Sequence, residues 1–366
     1  MKISIFFDGP QMGGIGARNI DLANEFIRQG HEVTLLVISA DGPRKDQIPR
    51  DAMVKEIGPV GIPGIIKFLI VFFRKTPPDI VIASNLMPGA VVALAKFLAM
   101  RKKIALGIIN RVDFERSYKE KKHKSIKSRL LYLIAPFYIR NYAKVISLSH
   151  AARPGLAKYI KCKEEEVEVI YDPIRLGPDK PKERFENQLL NWWKNGDVKI
   201  LSVGRLDKLK NFGVTIRSLE MLMDLAPKLM IIGSGPELDN LKKLTKELKV
   251  DENIKFAGYI ANPSVFFHRA DIFISSSLSE AFPNTVAEAV CAGCQVVSTD
   301  CNYGPREILG DNEWGRLVPL NDPAAIESSV RALITNPVPV QALNSRAQCF
   351  NPETIAKLII RALTGD

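Results

Sequence analysis

The sequence predicts an α/β protein made of two doubly wound parallel-sheet domains. Three observations carry that prediction. The chain has 366 residues, more than one domain of roughly 100–200 residues accommodates. Short β-branched runs alternate with helical patterns from end to end, which is the rhythm of βαβ units. The rhythm lapses once, near the middle, and then restarts.

In the first half the strand candidates are KISIFF, EVTLLVIS, DIVIAS, KIALGII and KVISLS. Each is a nearly continuous apolar run, as a strand buried on both faces should be. VKILSVGRL, KLMIIGSG, NIKFAGYI, DIFISSS and QVVSTD repeat the pattern in the second half. Helical segments lie between them, such as residues 15–29 and 236–248. Between 171 and 197 the stretch YDPIRLGPDKPKERFENQ is rich in proline and charge and reads as a linker. The expected domains are therefore 1–172 and 198–351, joined by residues 173–197. A last helix, 352–366, has no strand after it and is expected to pack back on the first domain.

Composition is that of a soluble globular protein, with 46% hydrophobic and 25% charged residues. The longest apolar runs, GIIKFLIVFF and LLYLIAPFYI, are about half of the ~20 residues that span a bilayer. The opening MKISIFFDGP reads as a first strand rather than a leader, because its apolar run stops at Asp8 and Gly9. Five cysteines, an odd number, with no leader suggest a reducing compartment. Cys291 and Cys294 form a C-x-x-C pair. No second pair or nearby histidine completes a zinc site, so small core residues are the plainer reading.

The net charge of +11 is unevenly placed. Residues 1–170 hold 28 Lys or Arg against 16 Asp or Glu, while the remainder holds 23 against 24. Residues 101–144 alone hold 13 basic and 3 acidic side chains. Such asymmetry is a statement about partners rather than fold. It leaves open a solvated basic face and contact with an anionic membrane or acceptor, and no motif supports nucleic acid. KEKKHKSIKSRLLYLIAPFYIR sets Lys119, Lys121, Lys122 and Lys124 before an apolar run, the composition of a surface-seeking segment. The expected location is cytoplasmic and peripheral to a membrane.

Open parallel sheets bind ligands at the carboxyl ends of their strands. Two such sheets facing across a cleft would line it with those ends. After the first strand, DGPQMGGIGARN offers Gly13, Gly14 and Gly16 before a helix. Glycines let backbone approach an anion at a helix start, and a tight turn explains them equally well. VGRLDKLKNFG places Arg205 and Lys210 beside another strand end, two cations suited to a diphosphate. IIGSGPELDNL supplies Gly233 and Gly235, with Pro236 at the first helical position and Glu237 in the first turn.

The stretch SSSLSEAFPNTVAEAVCAGCQVVSTD carries two acids eight residues apart. Glu280 is expected to end a strand and face the cleft. Pro283 and Asn284 start a helix, so the amides of Asn284 and Thr285 face outward where a phosphate could sit. Glu288, one turn in, could accept hydrogen bonds from vicinal hydroxyls. A ligand with hydroxyls at both ends and phosphates between them, a nucleotide sugar, fits that spacing. The plain alternative is an acid near the helix dipole and a solvated helix residue.

The sequence resembles the retaining GT-B glycosyltransferases of glycosyltransferase family 4. MGGIGARN, SVGRLDKLKNF, IIGSGPE, FAGYIAN, SEAFPNTVAEAVCAGCQVVSTDCNYGPREIL and GRLVPLNDP carry the resemblance, in family order across nearly the whole chain. It implies a GT-B fold of two Rossmann-like domains facing across a cleft. It implies that Gly14 approaches the β-phosphate and that Arg205 and Lys210 bind the diphosphate. Glu288 of the E-x7-E motif would hold the ribose, Glu280 the donor sugar, and Ile260 the base through its backbone. Ala281 and Phe282 would belong to the same donor site. Many relatives carry a histidine after a first-domain strand, where this chain reads GIINRVDFERSY. Asn110, Arg111 and Asp113 are the candidates to stand there, on the acceptor side. Pro283 removes an amide that some relatives aim at the sugar.

The expectation is a transferase moving a hexose or N-acetylhexosamine from a UDP-sugar to a glycan or lipid-linked glycan, with retention, without metal and without cofactor. A GDP-sugar donor, an inverting GT-B enzyme or epimerase, and an inactive sugar-nucleotide-binding subunit are the rivals.

Overall fold

The computed structural model describes residues 1–113, 126–177, 179–181 and 183–365. Lys119, Lys121, Lys122 and Lys124 lie outside the described residues. The chain divides into two units, Met1–Pro173 with Asn351–Asp366, and Ile174–Phe350.

Among the described residues, the first unit holds seven parallel strands: β1 (Lys2–Phe7), β2 (Glu32–Val37), β3 (Met53–Glu56), β4 (Ile80–Ser84), β5 (Ala105–Asn110), β6 (Lys144–Ser147) and β7 (Val167–Val169). Their spatial order is β3-β2-β1-β4-β5-β6-β7. The order reverses between β1 and β4, which makes that gap the topological switch point. Helices α1 (Gly14–Arg28), α2 (Ile62–Lys75), α3 (Leu86–Leu98), α4 (Ile126–Tyr142) and α5 (Arg153–Ile160) connect the strands. Leu69, Phe73, Leu86, Val92, Ile108 and Ile139 belong to one buried cluster under α2, α3 and α4.

The second unit repeats the plan with β8 (Val198–Val203), β9 (Pro227–Ile232), β10 (Ile254–Gly258), β11 (Ile272–Ser275), β12 (Gln295–Thr299) and β13 (Arg316–Val318). Their order is β10-β9-β8-β11-β12-β13, with the switch point between β8 and β11. Its helices are α6 (Arg184–Trp193), α7 (Phe212–Glu220), α8 (Leu238–Glu247), α9 (Ser264–Phe267), α10 (Asn284–Cys291), α11 (Pro305–Leu309), α12 (Pro323–Thr335) and α13 (Val340–Ala347).

The last helix, α14 (Pro352–Thr364), belongs to the first unit and packs on α1 and β5. The Asn351 side chain caps it by accepting from the Glu353 and Thr354 amides. Leu363 fills the space left by Gly107, where a Cβ would come within 2.8 Å of it. Glu353 pairs with Arg28 at 2.7 Å.

Three differences from the sequence reading have physical causes. The stretch read as a linker contains α6, which buries Glu186, Leu189 and Trp193 at helical spacing. Trp193 donates from Nε1 to the Lys228 carbonyl at 2.8 Å, which fixes α6 to the second unit. The strands β3, β7 and β13 had no counterpart in the apolar runs. All three are sheet edges of three or four residues, and an edge strand buries too little to need a long apolar run. Helix α8 starts at Leu238 with Glu237 at its N-cap, so Pro236 lies in the preceding turn and Asp239 is the first-turn acid.

Candidate active site

In the second unit the loops after β8 and β11 emerge on either side of the switch point. They bring Lys210 and Glu280 together. Lys210 Nζ forms an ion pair with Glu280 Oε1, and the Ser277 hydroxyl donates to the same oxygen at 2.6 Å. Glu280 is thus not at a strand end. It lies in the loop five residues beyond Ser275, the last residue of β11.

Asp207 organises the first of these loops. Its Oδ1 accepts from the Leu209 and Lys210 amides at 3.0 and 3.1 Å. Its Oδ2 accepts from Arg205 Nε at 2.7 Å. Arg205 is 72% exposed, so its pair with Asp207 is worth little in water and the guanidinium is available to a ligand anion. Asn211 adopts a left-handed conformation with φ of 49° and turns the chain into α7.

A run of buried serines and a threonine ties the two loops. Ser276 Oγ donates towards the Lys210 and Asn211 carbonyls, each at 3.0 Å, and receives the Thr215 hydroxyl at 2.9 Å. Leu278 N donates to the Leu209 carbonyl at 2.8 Å, and Thr299 Oγ1 to the Ser277 carbonyl at 2.6 Å. Asp207, Ser276, Ser277 and Thr299 were missed from sequence, although "SSS" before Glu280 was the available signal: small hydroxyls in an apolar strand end need partners. The neighbouring Cys301 thiol is pushed up to about 12, first by burial and then by the Glu280 charge.

Gly233 and Gly235 have a packing reason of their own. A Cβ on Gly233, whose φ is 148°, would overlap the Gly204 carbonyl oxygen, and one on Gly235 would overlap that of Leu206. Leu206 N donates to Ser234 O and Glu237 N to Leu206 O, both at 2.9 Å. The loops after β8 and β9 are therefore zipped backbone to backbone. Gly233 N donates onward to the Gly258 carbonyl at 2.8 Å, at the end of β10, shortly before the buried Ile260.

Helix α10 begins at Asn284 with Pro283 at its N-cap. The Asn284 amide donates to the Phe282 carbonyl at 2.9 Å. This differs from the expected pair of outward amides: the tight turn at Pro283 uses Asn284's own. Thr285 and Glu288 are half-buried on the first turns, and Ala281 is half-buried in the loop before them. Phe282 is buried against Phe350, with ring centroids 6.1 Å apart. Gly304, with φ of 99°, lies so close that a Cβ would come 2.5 Å from Pro283 Cδ.

The other expected residues lie in the first unit. Gly13 is the N-cap of α1, with φ of 106° and open space where a Cβ would be. Gly14 is the first residue of α1. Gly16 is in the helix, where a Cβ would press on the Gln11 carbonyl at 3.0 Å. Asn110 and Arg111, offered as acceptor-facing residues, are both buried. Asn110 Nδ2 donates to the Val112 carbonyl at 2.8 Å. Arg111 Nε donates to Asp172 Oδ1 at 2.8 Å, with side chains only 2% and 1% exposed. Its Nη1 donates to Asn19 Oδ1 and Ser84 Oγ at 3.1 and 2.9 Å. These groups tie the ends of β4 and β5 to α1, while Arg111 Nη2 and Asn110 Oδ1 are buried with no hydrogen-bond partner among the described residues. Asp113 is half-buried beside them.

Among the described residues, no group of three or more His, Cys, Asp or Glu side chains is placed to hold a metal ion. No described helix is long and apolar enough to cross a membrane.

Comparison with known proteins agrees with this fold. The model "Glycosyltransferase Family 4" matches residues 12–177, and "Glycosyl transferases group 1" matches residues 183–363. A Campylobacter jejuni N-acetylgalactosaminyltransferase acting on a diphospho-undecaprenol substrate is 32% identical over 203 residues, 54% of this chain and 53% of the relative. An uncharacterized glycosyltransferase of Methanocaldococcus jannaschii is 30% identical over 251 residues, 66% of this chain and 60% of the relative. The chain thus spans little more than half the length of these curated relatives. The crystal structure of Anabaena HepE in complex with UDP-glucose superimposes over 100% of both chains with a TM-score of 0.79 at 20% identity. WaaG, a glycosyltransferase of lipopolysaccharide biosynthesis, does so over 100% of both with a TM-score of 0.72 at 17% identity. The chain has the GT-B fold and belongs with the GT-B glycosyltransferases of the family 4 and group 1 type, the first match covering its first half and the second its second half.

Proposed function

We propose that this chain transfers a hexose or N-acetylhexosamine from a UDP-sugar to a glycan or lipid-linked glycan, with retention at the anomeric carbon and no metal ion. The observation that carries the reading is the Lys210–Glu280 pair at the β8/β11 switch point, with Arg205 exposed on the same loop. Ligands of such sheets bind at that place.

The roles follow from chemistry. Lys210 and Arg205 neutralise the diphosphate, and most strongly as it departs. That leaves Glu280 free to accept a hydroxyl of the donor sugar. Glu288 accepts the ribose hydroxyls, and the backbone at Ile260 meets the base. The bond from the anomeric carbon to the phosphate oxygen breaks, and the acceptor oxygen bonds to the same face. The departing phosphate oxygen takes the acceptor proton. No side-chain nucleophile is required.

Two relatives support the donor and acceptor classes. HepE is seen with UDP-glucose, and the Campylobacter enzyme is named for 4-alpha transfer onto a diphospho-undecaprenol glycan. The test is turnover against a panel of UDP- and GDP-sugars with a polyprenyl-diphosphate-linked acceptor, with and without EDTA. NMR of the product anomer reads the stereochemistry. A UDP-sugar should serve, with retained configuration and no loss to EDTA. Preference for GDP, an inverted product or chelator inhibition would each overturn its part of the reading. Binding without any turnover would favour an inactive sugar-nucleotide-binding subunit.

A further inference from the structure

We infer that the outer surface of α2, α3 and α4 is a docking face for an anionic lipid bilayer. This deepens the reading above, since it matters to catalysis only if the acceptor is lipid-borne.

The first observation is charge. Residues 62–76, 86–104 and 126–144, which contain the three helices, hold no Asp or Glu at all. They hold Lys67, Arg74, Lys75, Arg101, Lys102, Lys103, Arg140 and Lys144, all exposed. Ordinary solvated helices mix both signs, as α8 does with LDNLKKLTKE. An acid-free layer with this many cations suits a partner carrying dense negative charge.

The second observation is apolar exposure on the same layer. Met100 is 84%, Leu133 76% and Phe137 60% exposed. Leu133 and Phe137 are four apart and so share one face of α4. Phe97 bridges α3 to α4, with its ring 6.0 Å from Tyr138 and 5.4 Å from Tyr142. Arg74 Nη2 donates to the Leu98 carbonyl at 3.1 Å, and Arg101 Nη2 to the Arg74 carbonyl at 2.9 Å. These contacts join the ends of α2 and α3 into a surface continuous with α4.

The third observation is backbone conformation. Met100 follows the end of α3 with φ of 59°. That left-handed position is usually glycine or asparagine, because a Cβ is disfavoured there. The helix ends instead on a large apolar side chain held out in solvent, directly before Arg101, Lys102 and Lys103. Apolar tips that enter the acyl boundary, aromatic rings beside them and a fringe of cations are what an interfacial surface needs. An acidic protein would account for the cations but not for the protruding methionine and leucine.

The test is sedimentation of the full chain with vesicles of phosphatidylcholine alone or mixed with phosphatidylglycerol, at low and high salt. Three chains are compared: the wild type, Met100→Ser/Leu133→Ser/Phe137→Ser, and Arg101→Glu/Lys102→Glu/Lys103→Glu. All six positions are exposed, and the only contact named above that is lost is the one from Arg101 to the Arg74 carbonyl, so melting temperatures should stay within a few degrees of the wild type's. The wild type should bind only the anionic vesicles and release in salt. The charge-reversed chain should lose on the order of a hundredfold in partitioning, and the serine chain about tenfold or more. UDP binding by calorimetry and turnover on a water-soluble acceptor should be equal in all three. Failure of wild-type binding at low salt, or equal binding by all three chains, overturns the inference. So does a wild-type dimer that the serine substitutions turn into a monomer, since a second copy would then be the occupant. Absence of UDP binding by the wild type would instead sink the UDP-donor reading and leave the vesicle result standing by itself.

Discussion

Lys210 and Glu280 neutralise each other across the switch point, and that sets what their replacement should do. If Lys210 holds the departing phosphate as proposed, Lys210→Ala should lower turnover at saturating donor about a hundredfold, near 2.7 kcal/mol of barrier. On the proposed assignment of Glu280 to the donor sugar, where charge develops, Glu280→Ala should lower kcat more than donor affinity. On the proposed assignment of Glu288 to the ribose, Glu288→Ala should act mainly on donor affinity, because such contacts are equal in ground and transition states. Calorimetry with UDP separates the last two, and equal affinity losses would refute the division. The double variant of Lys210 and Glu280 should cost less than the sum of its parts, since the two side chains share one contact.

At the scale of elements, the glycines divide into two kinds that look alike in sequence. Gly233 and Gly13 both have positive φ, but only Gly233 lies against neighbouring backbone. Gly233→Ala should destabilise the second unit by about 3 kcal/mol or more, combining backbone strain with an overlap that the zipped loops cannot relieve. Gly13→Ala meets nothing within 4 Å and should cost about 1–3 kcal/mol of strain alone, with its larger effect on donor binding if that turn approaches a phosphate. Thermal melts compared with UDP titrations distinguish the two. The buried Arg111–Asp172 pair, joined to Asn19 and Ser84, likewise ties together elements of the first unit.

For the whole molecule, α14 closes the first unit from the far end of the chain. Ile355, Ile359 and Leu363 are buried there, and each contributes about 1.5–3 kcal/mol. Their sum approaches the whole stability of a typical domain, about 5–15 kcal/mol. A chain ending at residue 351 should therefore lose the cooperative melt of the first unit. If that melt stays within a few degrees of the full chain's, α14 is an ornament rather than part of the core.

Local chemistry determined much of this protein in advance. Buried strands in parallel sheets must be apolar on both faces, so nine of them were legible as runs, and one edge strand, β10, with them. The stretches around Arg205 and Lys210 and before Asn284 announced themselves as turns, because proline, glycine and charge punctuate apolar text, and Glu288 as a residue of the helix that follows. Tertiary structure decided the rest. Edge strands such as β3, β7 and β13 are made by their neighbours and carry no strong pattern of their own. Helix α6 hid in a proline-rich stretch because its signal was a docked tryptophan, whose partner carbonyl is 35 residues away. The pairing of Lys210 with Glu280 spans 70 residues. No local rule selects it: it exists because β8 and β11 are neighbours in the sheet, where strand order reverses and two loops must part.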